Sequence, residues 1–280
     1  MRTSTLSVTF FALFCGLMLS STSVSASVTT SLAGPPSPKE TPPAFGISAG
    51  LSKSFSLVDH KDGDRQETND LEVIPSYNWS FGKTLAVFTF SDDVRDPGNS
   101  DMGDIALATS FNGWDFKSFK LRPSVTIVLP QSKESRINTN LQTAISGKLS
   151  ASIQEKLLLP GFRFGGSVSF NRNFHRYETA LDGTVLKQYS SKQGLSGGYS
   201  IGLFSFDLDF THINAWTYQG NMKESYEHSE EASVEIGRNF AFTLGHTNGG
   251  SVFKEDGYSS NYKLIDEENS LVYAKVSMQY

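Results

Sequence analysis

Eight charged side chains stand at alternating positions within otherwise patterned segments: Lys120 and Arg122, Lys148, Arg163, Asp207 and Asp209, and Glu231 and Glu235. In an extended chain successive side chains point to opposite faces, so residues two apart share a side. Four bases and four acids on different segments could face one another across an enclosed space and set up a transverse field that orients polar solutes. The same eight could instead neutralise one another and plug that space. A second group, His212, His228 and His246, falls on the opposite face of three consecutive segments at similar heights. Three imidazoles so placed could hold a metal ion. Together with Arg172 and Arg176 they also suit phosphate groups in an interfacial zone, and that reading is preferred.

Nucleophilic chemistry has two weaker footholds. His246-Thr-Asn-Gly-Gly-Ser251 brings a His and a Ser close in sequence, and Gly194-Leu-Ser196-Gly-Gly198 fits the hydrolase string Gly-x-Ser-x-Gly. A serine nucleophile needs a base held by a third group, and the sequence assigns no carboxylate or Asn to His246. Ser196 lies inside an alternating segment rather than at a strand-to-helix elbow. No catalytic residue is therefore expected. The loops Asp59-His-Lys-Asp-Gly-Asp64 and Asp92-Asp-Val-Arg-Asp96 are acid-rich without EF-hand spacing and read as solvated loops. No metal ion or cofactor is expected.

The elements that must position these groups are strands. Phe45, Ile47, Ala49, Leu51, Phe55 and Leu57 fill one face of the first segment, while Gly46, Ser48, Gly50, Ser52, Ser54 and Ser56 fill the other. The same two-sided pattern returns from Leu71 to Phe81, from Phe162 to Phe174, at Phe240, Phe242 and Leu244, and from Val272 to Tyr280. About twelve such segments follow one another, beginning near residues 44, 71, 84, 103, 116, 138, 161, 188, 204, 224, 239 and 270.

Composition supports a folded, strand-rich chain. The 280 residues include 21 Phe, 10 Tyr, 3 Trp and 24 Gly, too aromatic for disorder, and 38% hydrophobic content is too low for a bundle of membrane helices. The formal charge of −5 comes with scattered Lys and Arg, which disfavours nucleic acid as a partner. Met1-Arg2, the apolar run Phe10 to Leu19 and Val24-Ser25-Ala26 read as a secretory signal cleaved after Ala26. Cleavage removes Cys15, the only cysteine, so the exported chain has neither a disulfide nor a thiol nucleophile. Leu13-Phe14 before Cys15 lacks the small residues of a lipid-attachment site. Residues 27–43, with Pro35, Pro36, Pro38, Pro42 and Pro43, form an unstructured leader, and residues 44–280 form one domain.

Connection lengths separate a membrane barrel from a soluble sandwich. Short links at Gly82-Lys83, Asn112 to Asp115, Leu203 and Gly237-Arg238-Asn239 alternate with long polar stretches at 59–70, 92–103, 178–187 and 248–269. Short turns at one end and long loops at the other are what a transmembrane β-barrel shows. The link from Ser152 to Pro160 is long for its side and has room for a helical turn. An even number of crossings returns the chain to the end where it began. Phe81, Phe111, Phe119, Phe162, Phe164, Phe204, Phe206, Phe240, Phe242 and Tyr280 gather within a few residues of the short-turn end, as an aromatic girdle would. Lipid offers backbone N–H and C=O groups no water, so the sheet must close.

The ending Ser270-Leu-Val-Tyr-Ala-Lys-Val-Ser-Met-Gln-Tyr280 resembles the C-terminal assembly signal of Gram-negative outer-membrane β-barrel proteins, with apolar residues at alternate positions and a terminal aromatic. The resemblance implies an all-β antiparallel barrel in the outer membrane, delivered to the barrel assembly machinery through its last strand. Gly103-Asp-Ile-Ala-Leu and Leu129-Pro130 resemble, over a handful of residues, a class of outer-membrane hydrocarbon transporters. The His246 to Ser251 stretch is vaguely similar to the His and Ser neighbourhood of outer-membrane phospholipases, with different spacing. In such a barrel the eight charges line the lumen, and Arg172, Arg176, His212, His228 and His246 meet lipopolysaccharide. The expected function is a passive porin-like channel for small solutes. A lipid hydrolase, or a barrel that adheres through its loops, is the alternative. Open and plugged interiors both remain possible at this point, with the many inward Gly and Ser residues favouring space for water.

Overall fold

The computed structural model describes residues 44–58, 65–96, 100–154, 157–237, 239–254, 256–267 and 269–280. The signal segment 1–26 with Cys15, the leader 27–43 and the acid-rich stretch 59–64 lie outside the described residues.

Fourteen strands run in order: β1 (Phe45–Ser56), β2 (Glu67–Trp79), β3 (Gly82–Asp93), β4 (Ser100–Met102), β5 (Ile105–Phe111), β6 (Trp114–Asp115), β7 (Phe119–Leu129), β8 (Leu141–Ile153), β9 (Phe162–His175), β10 (Lys187–Ile201), β11 (Phe204–Thr217), β12 (Met222–Ile236), β13 (Phe240–Ser251) and β14 (Leu271–Gln279). β4 and β5 both pair with β3, and β5 and β6 both pair with β7, so these three are pieces of one stave. Counted that way, the molecule is a closed antiparallel barrel of twelve strands. Each stave pairs with its sequence neighbours, and β1 pairs with β14 to seal the ring. At the seam the Ile47 N–H donates to the Tyr280 carbonyl at 3.0 Å and the Tyr280 N–H returns to the Ile47 carbonyl at 2.9 Å. Closure removes the unpaired strand edge that lipid would not tolerate.

Period-two patterning sets which way each side chain points. On β1 the outward Leu51 is exposed while the inward Ser52, Ser54 and Ser56 are buried. On β14 the outward Val276 and Met278 are exposed while Tyr273, Lys275 and Ser277 are buried. The outer wall is thus apolar, and large aromatic residues band the short-turn end. Trp79 stacks on Phe81 with centroids 5.8 Å apart, and Phe116 stacks on Phe119 at 4.7 Å. Phe111, Phe162, Phe164, Phe204, Phe206, Phe240 and Tyr280 continue that band.

Two expected turns lie elsewhere. β2 and β3 are joined at Ser80-Phe81, and Gly82 already belongs to β3. Asn112 and Gly113 do not turn the chain but bend one stave between β5 and β6, and the reversal comes at residues 116–118. The bend is fixed by the Asn112 side chain, which donates to the Ser80 carbonyl at 2.7 Å. It also depends on glycine, because a Cβ on Gly113 would lie 1.6 Å from the Leu121 carbonyl oxygen. In the link after β8, which has room for a helical turn, the Leu157 N–H donates to the Gln154 carbonyl at 2.9 Å, and residues 155 and 156 lie outside the described residues. Opposite, the loop after β7 folds into a π-helical turn, Glu134–Asn138. Asp104 anchors it by accepting from the Gln131 N–H at 2.8 Å, the Ser132 N–H at 2.9 Å and the Ser135 hydroxyl. β2 begins four residues before the expected Leu71, and β13 runs on to Ser251, so the strands outreach the patterned membrane band at the loop end.

Candidate functional site

Strand alternation brings Lys120 and Arg122 of β7, Lys148 of β8, Arg163 of β9, Asp207 and Asp209 of β11, and Glu231 and Glu235 of β12 to the inner wall. All eight lie in the half of the barrel nearer the short turns. Acids on β11 and β12 are adjacent, with Asp207 directly opposite Glu231 in register. Like charges so placed repel, and each needs a compensating partner.

The partners come from two staves away, across a stave that carries a glycine. Arg163 Nη2 donates to Asp207 Oδ1 at 2.7 Å, with side chains only 13% and 17% exposed, and Nη1 donates to Ser200 Oγ. Arg163 and Asp207 flank Gly198, which is in register with both. A Cβ at Gly198 would lie 2.3 Å from Asp207 Oδ1 and 2.9 Å from Arg163 Nη2, so the ion pair occupies the space that glycine leaves. Gly198 is the last residue of the Gly-x-Ser-x-Gly string, and its role here is to admit a salt bridge inside a strand. Ser196 faces Asp209 and Gly165 in the ladder, in unbroken strand.

Glu231 accepts a 2.5 Å hydrogen bond from the Tyr273 hydroxyl, and Gly245 of β13 provides the room. A Cβ there would stand 2.1 Å from Tyr273 Cζ. Gly245→Ala is expected to lower the midpoint of urea unfolding by an amount equivalent to about 1–3 kcal/mol, the usual cost of overpacking. Farther round, Lys275 of β14 donates to Glu72 of β2 at 2.9 Å across β1, its side chain lying over Gly50, where a Cβ would be 2.5 Å from Lys275 Cε. Glu72, Tyr273 and Lys275 are inner-wall residues that the sequence reading left out. Their signal was present in the same alternation, since the outward set Val272, Ala274, Val276 and Met278 implies an inward 273 and 275.

The two-arc charge layout is therefore revised. Bases on β7 to β9 and acids on β11 and β12 meet through the Arg163–Asp207 pair, and Lys275 and Glu72 add a second base and acid beyond the acidic arc. Lys120 lies 3.9 Å from Asp115 in an exposed contact worth little.

The outward candidates form two patches. Arg172 of β9 lies over the Phe174 and Tyr189 rings, 4.7 and 5.4 Å from their centroids, and Arg176 lies 5.5 Å from the centroid of Tyr177. Two staves away, His212 of β11, His228 of β12 and His246 of β13 share the outer wall, and the structure does not join them to the arginines. His246 has the carboxylate partner that the sequence did not assign: its Nδ1 lies 3.2 Å from Glu230 Oε2. Ser251 is five residues up the same strand, on the other face and in register with Ser225, so it does not meet His246. In the loops, Asp182 and Asp256 are held below the ordinary carboxylate range, the first by the Thr184 N–H and the second by the hydroxyl and N–H of Ser259. They act as caps of surface turns.

No family model matches the chain, and no curated protein matches it by sequence. Solved structures do. The COG4313 outer membrane channel from Pseudomonas putida F1 superposes with a TM-score of 0.58 at 12% identity, covering 88% of this chain and 99% of that one. The NanC porin superposes with a TM-score of 0.52 at 13% identity, covering 85% and 99%. At such identities the likeness is one of fold. By fold, then, the chain is a closed twelve-strand antiparallel β-barrel, similar in architecture to these outer-membrane channels.

Proposed function

We propose that the protein is a passive channel for small hydrophilic solutes across the outer membrane. The observation that carries this reading is the contrast between the two walls of a sealed cylinder: the outer wall is apolar, while the inner wall carries serines, threonines and a band of charged residues. A water-filled path needs such a polar lining. The inner charges partner laterally, along the wall, and lateral pairing holds side chains against the strands rather than across the axis. Chemistry at His246 is disfavoured because Ser251 is out of its reach, so the reading is non-enzymatic. Arg172 and Arg176, outward and beside aromatic rings, suit contact with lipopolysaccharide phosphates. The terminal strand, ending in an aromatic, suits recognition by the barrel assembly machinery.

Liposome swelling tests the channel reading. Proteoliposomes containing the folded barrel are expected to swell in small sugars and amino acids, at rates that fall steeply as solute size rises. Swelling no faster than that of protein-free vesicles, from barrel shown to be folded by heat-modifiable migration, would overturn it.

A further inference from the structure

We infer that His228, Glu230 and His246 form a binding site on the outer wall for one divalent transition-metal ion of zinc-like preference. Three observations support it. First, one donor atom from each residue lies within 4.8 Å of the others. Glu230 Oε1 is 3.9 Å from His228 Nε2, and Glu230 Oε2 is 3.2 Å from His246 Nδ1. Ligands around a tetrahedral zinc ion stand roughly 3.4 Å apart, given metal–ligand distances of about 2.0–2.1 Å, so small side-chain rotations suffice. Two imidazoles and a carboxylate are also a donor set that zinc accepts while leaving a fourth position open.

Second, one of the donors is unsatisfied. His228 is nine-tenths buried, with 8% of its side chain exposed, and its Nε2 makes no hydrogen bond. On His246 the nitrogen that faces the site is Nδ1, which meets Glu230, while Nε2 is buried on the far side of the ring. A buried polar nitrogen without a hydrogen bond is costly, and a metal ion ligated by His228 Nε2 removes that cost. Third, the site lies on the wall that faces lipid. Glu230 is in register with Leu208 on one side and His246 on the other, below the polar upper ends of the strands. A carboxylate there needs a positive partner, and the groups it meets are the same two histidines.

The surroundings restrain the ligands. His228 lies parallel to Tyr226, with centroids 6.4 Å apart and planes at 3°, and meets His246 edge-on at 5.8 Å. The last loop straps Tyr226 from above: the Lys263 N–H donates to the Tyr226 hydroxyl at 2.8 Å, and Tyr262 packs on its ring at 4.6 Å. An ion here would tie β12 to β13 under that strap.

The test uses untagged, folded barrel in detergent, stripped with chelator, dialysed and titrated calorimetrically with zinc chloride. One ion per barrel is expected, with affinity at least about tenfold lower in Glu230→Gln or His246→Ala and lost in the His228→Ala/His246→Ala double variant. His175→Ala, which removes a histidine elsewhere, should leave affinity unchanged, and calcium should bind far more weakly than zinc. The visible spectrum of bound cobalt should report fewer than six ligands. Absence of stoichiometric zinc binding, or equal affinity in the double variant once its β-rich circular dichroism confirms folding, would overturn the assignment.

Discussion

Lys275→Met alone is expected to cost the folded barrel about 3–5 kcal/mol, while Lys275→Met combined with Glu72→Leu should recover most of that loss. The asymmetry follows from burial. The Lys275 and Glu72 side chains are 4% and 11% exposed, and their 2.9 Å contact spans β1 at the seam where the first and last staves meet. Removing the ammonium leaves a carboxylate in a poorly hydrated pocket without its main partner, and that desolvation is the source of the penalty. Removing both charges eliminates the penalty together with the bond. Urea unfolding followed by tryptophan fluorescence, with refolding to establish reversibility, measures both variants. Equal destabilisation by the single and double replacements would show that the pair is not coupled as described.

Leu208→Arg is expected to destabilise by about 2–4 kcal/mol, the cost of a guanidinium on the lipid face near mid-membrane. Leu208 is 60% exposed on the outer wall, four residues above the short-turn end of β11. Its neighbour Asp209 points inward, so Asp209→Arg should cost less and change ion selectivity instead. The same residue type at adjacent positions thus distinguishes the two walls. A larger loss from the inward replacement than from the outward one, in the same unfolding assay, would reverse the assignment of faces.

The fold was legible because period-two patterning is local. Phe45 to Ser56 carries its own two faces, and a dozen such stretches with alternating link lengths leave few ways to close. Turns were less legible where glycine serves close approach instead of reversal. Gly113 looked like part of a turn, yet it is needed because the Leu121 carbonyl passes beside it. Inner-wall residues could be placed on a face but not paired. Glu72 and Lys275 are 203 positions apart and meet only when the ring shuts, and neither position predicts the other. The same holds for His246 and Glu230, sixteen residues apart and brought together by the β12–β13 register. In each case the missing information was register, which depends on the whole sheet. One local clue was available: glycines at inward positions 50, 198 and 245 each mark where a long polar side chain from a neighbouring strand lies down.

Single-channel recording in a planar lipid bilayer tests the central claim most directly. Purified, folded barrel is expected to give discrete, long-lived conductance steps with a measurable ion preference, and Asp207→Asn/Asp209→Asn should shift the reversal potential in a salt gradient towards anions, because two acids leave the inner wall. Folded protein that inserts yet passes no current, or that conducts with the same reversal potential after both replacements, would contradict a channel lined by these residues.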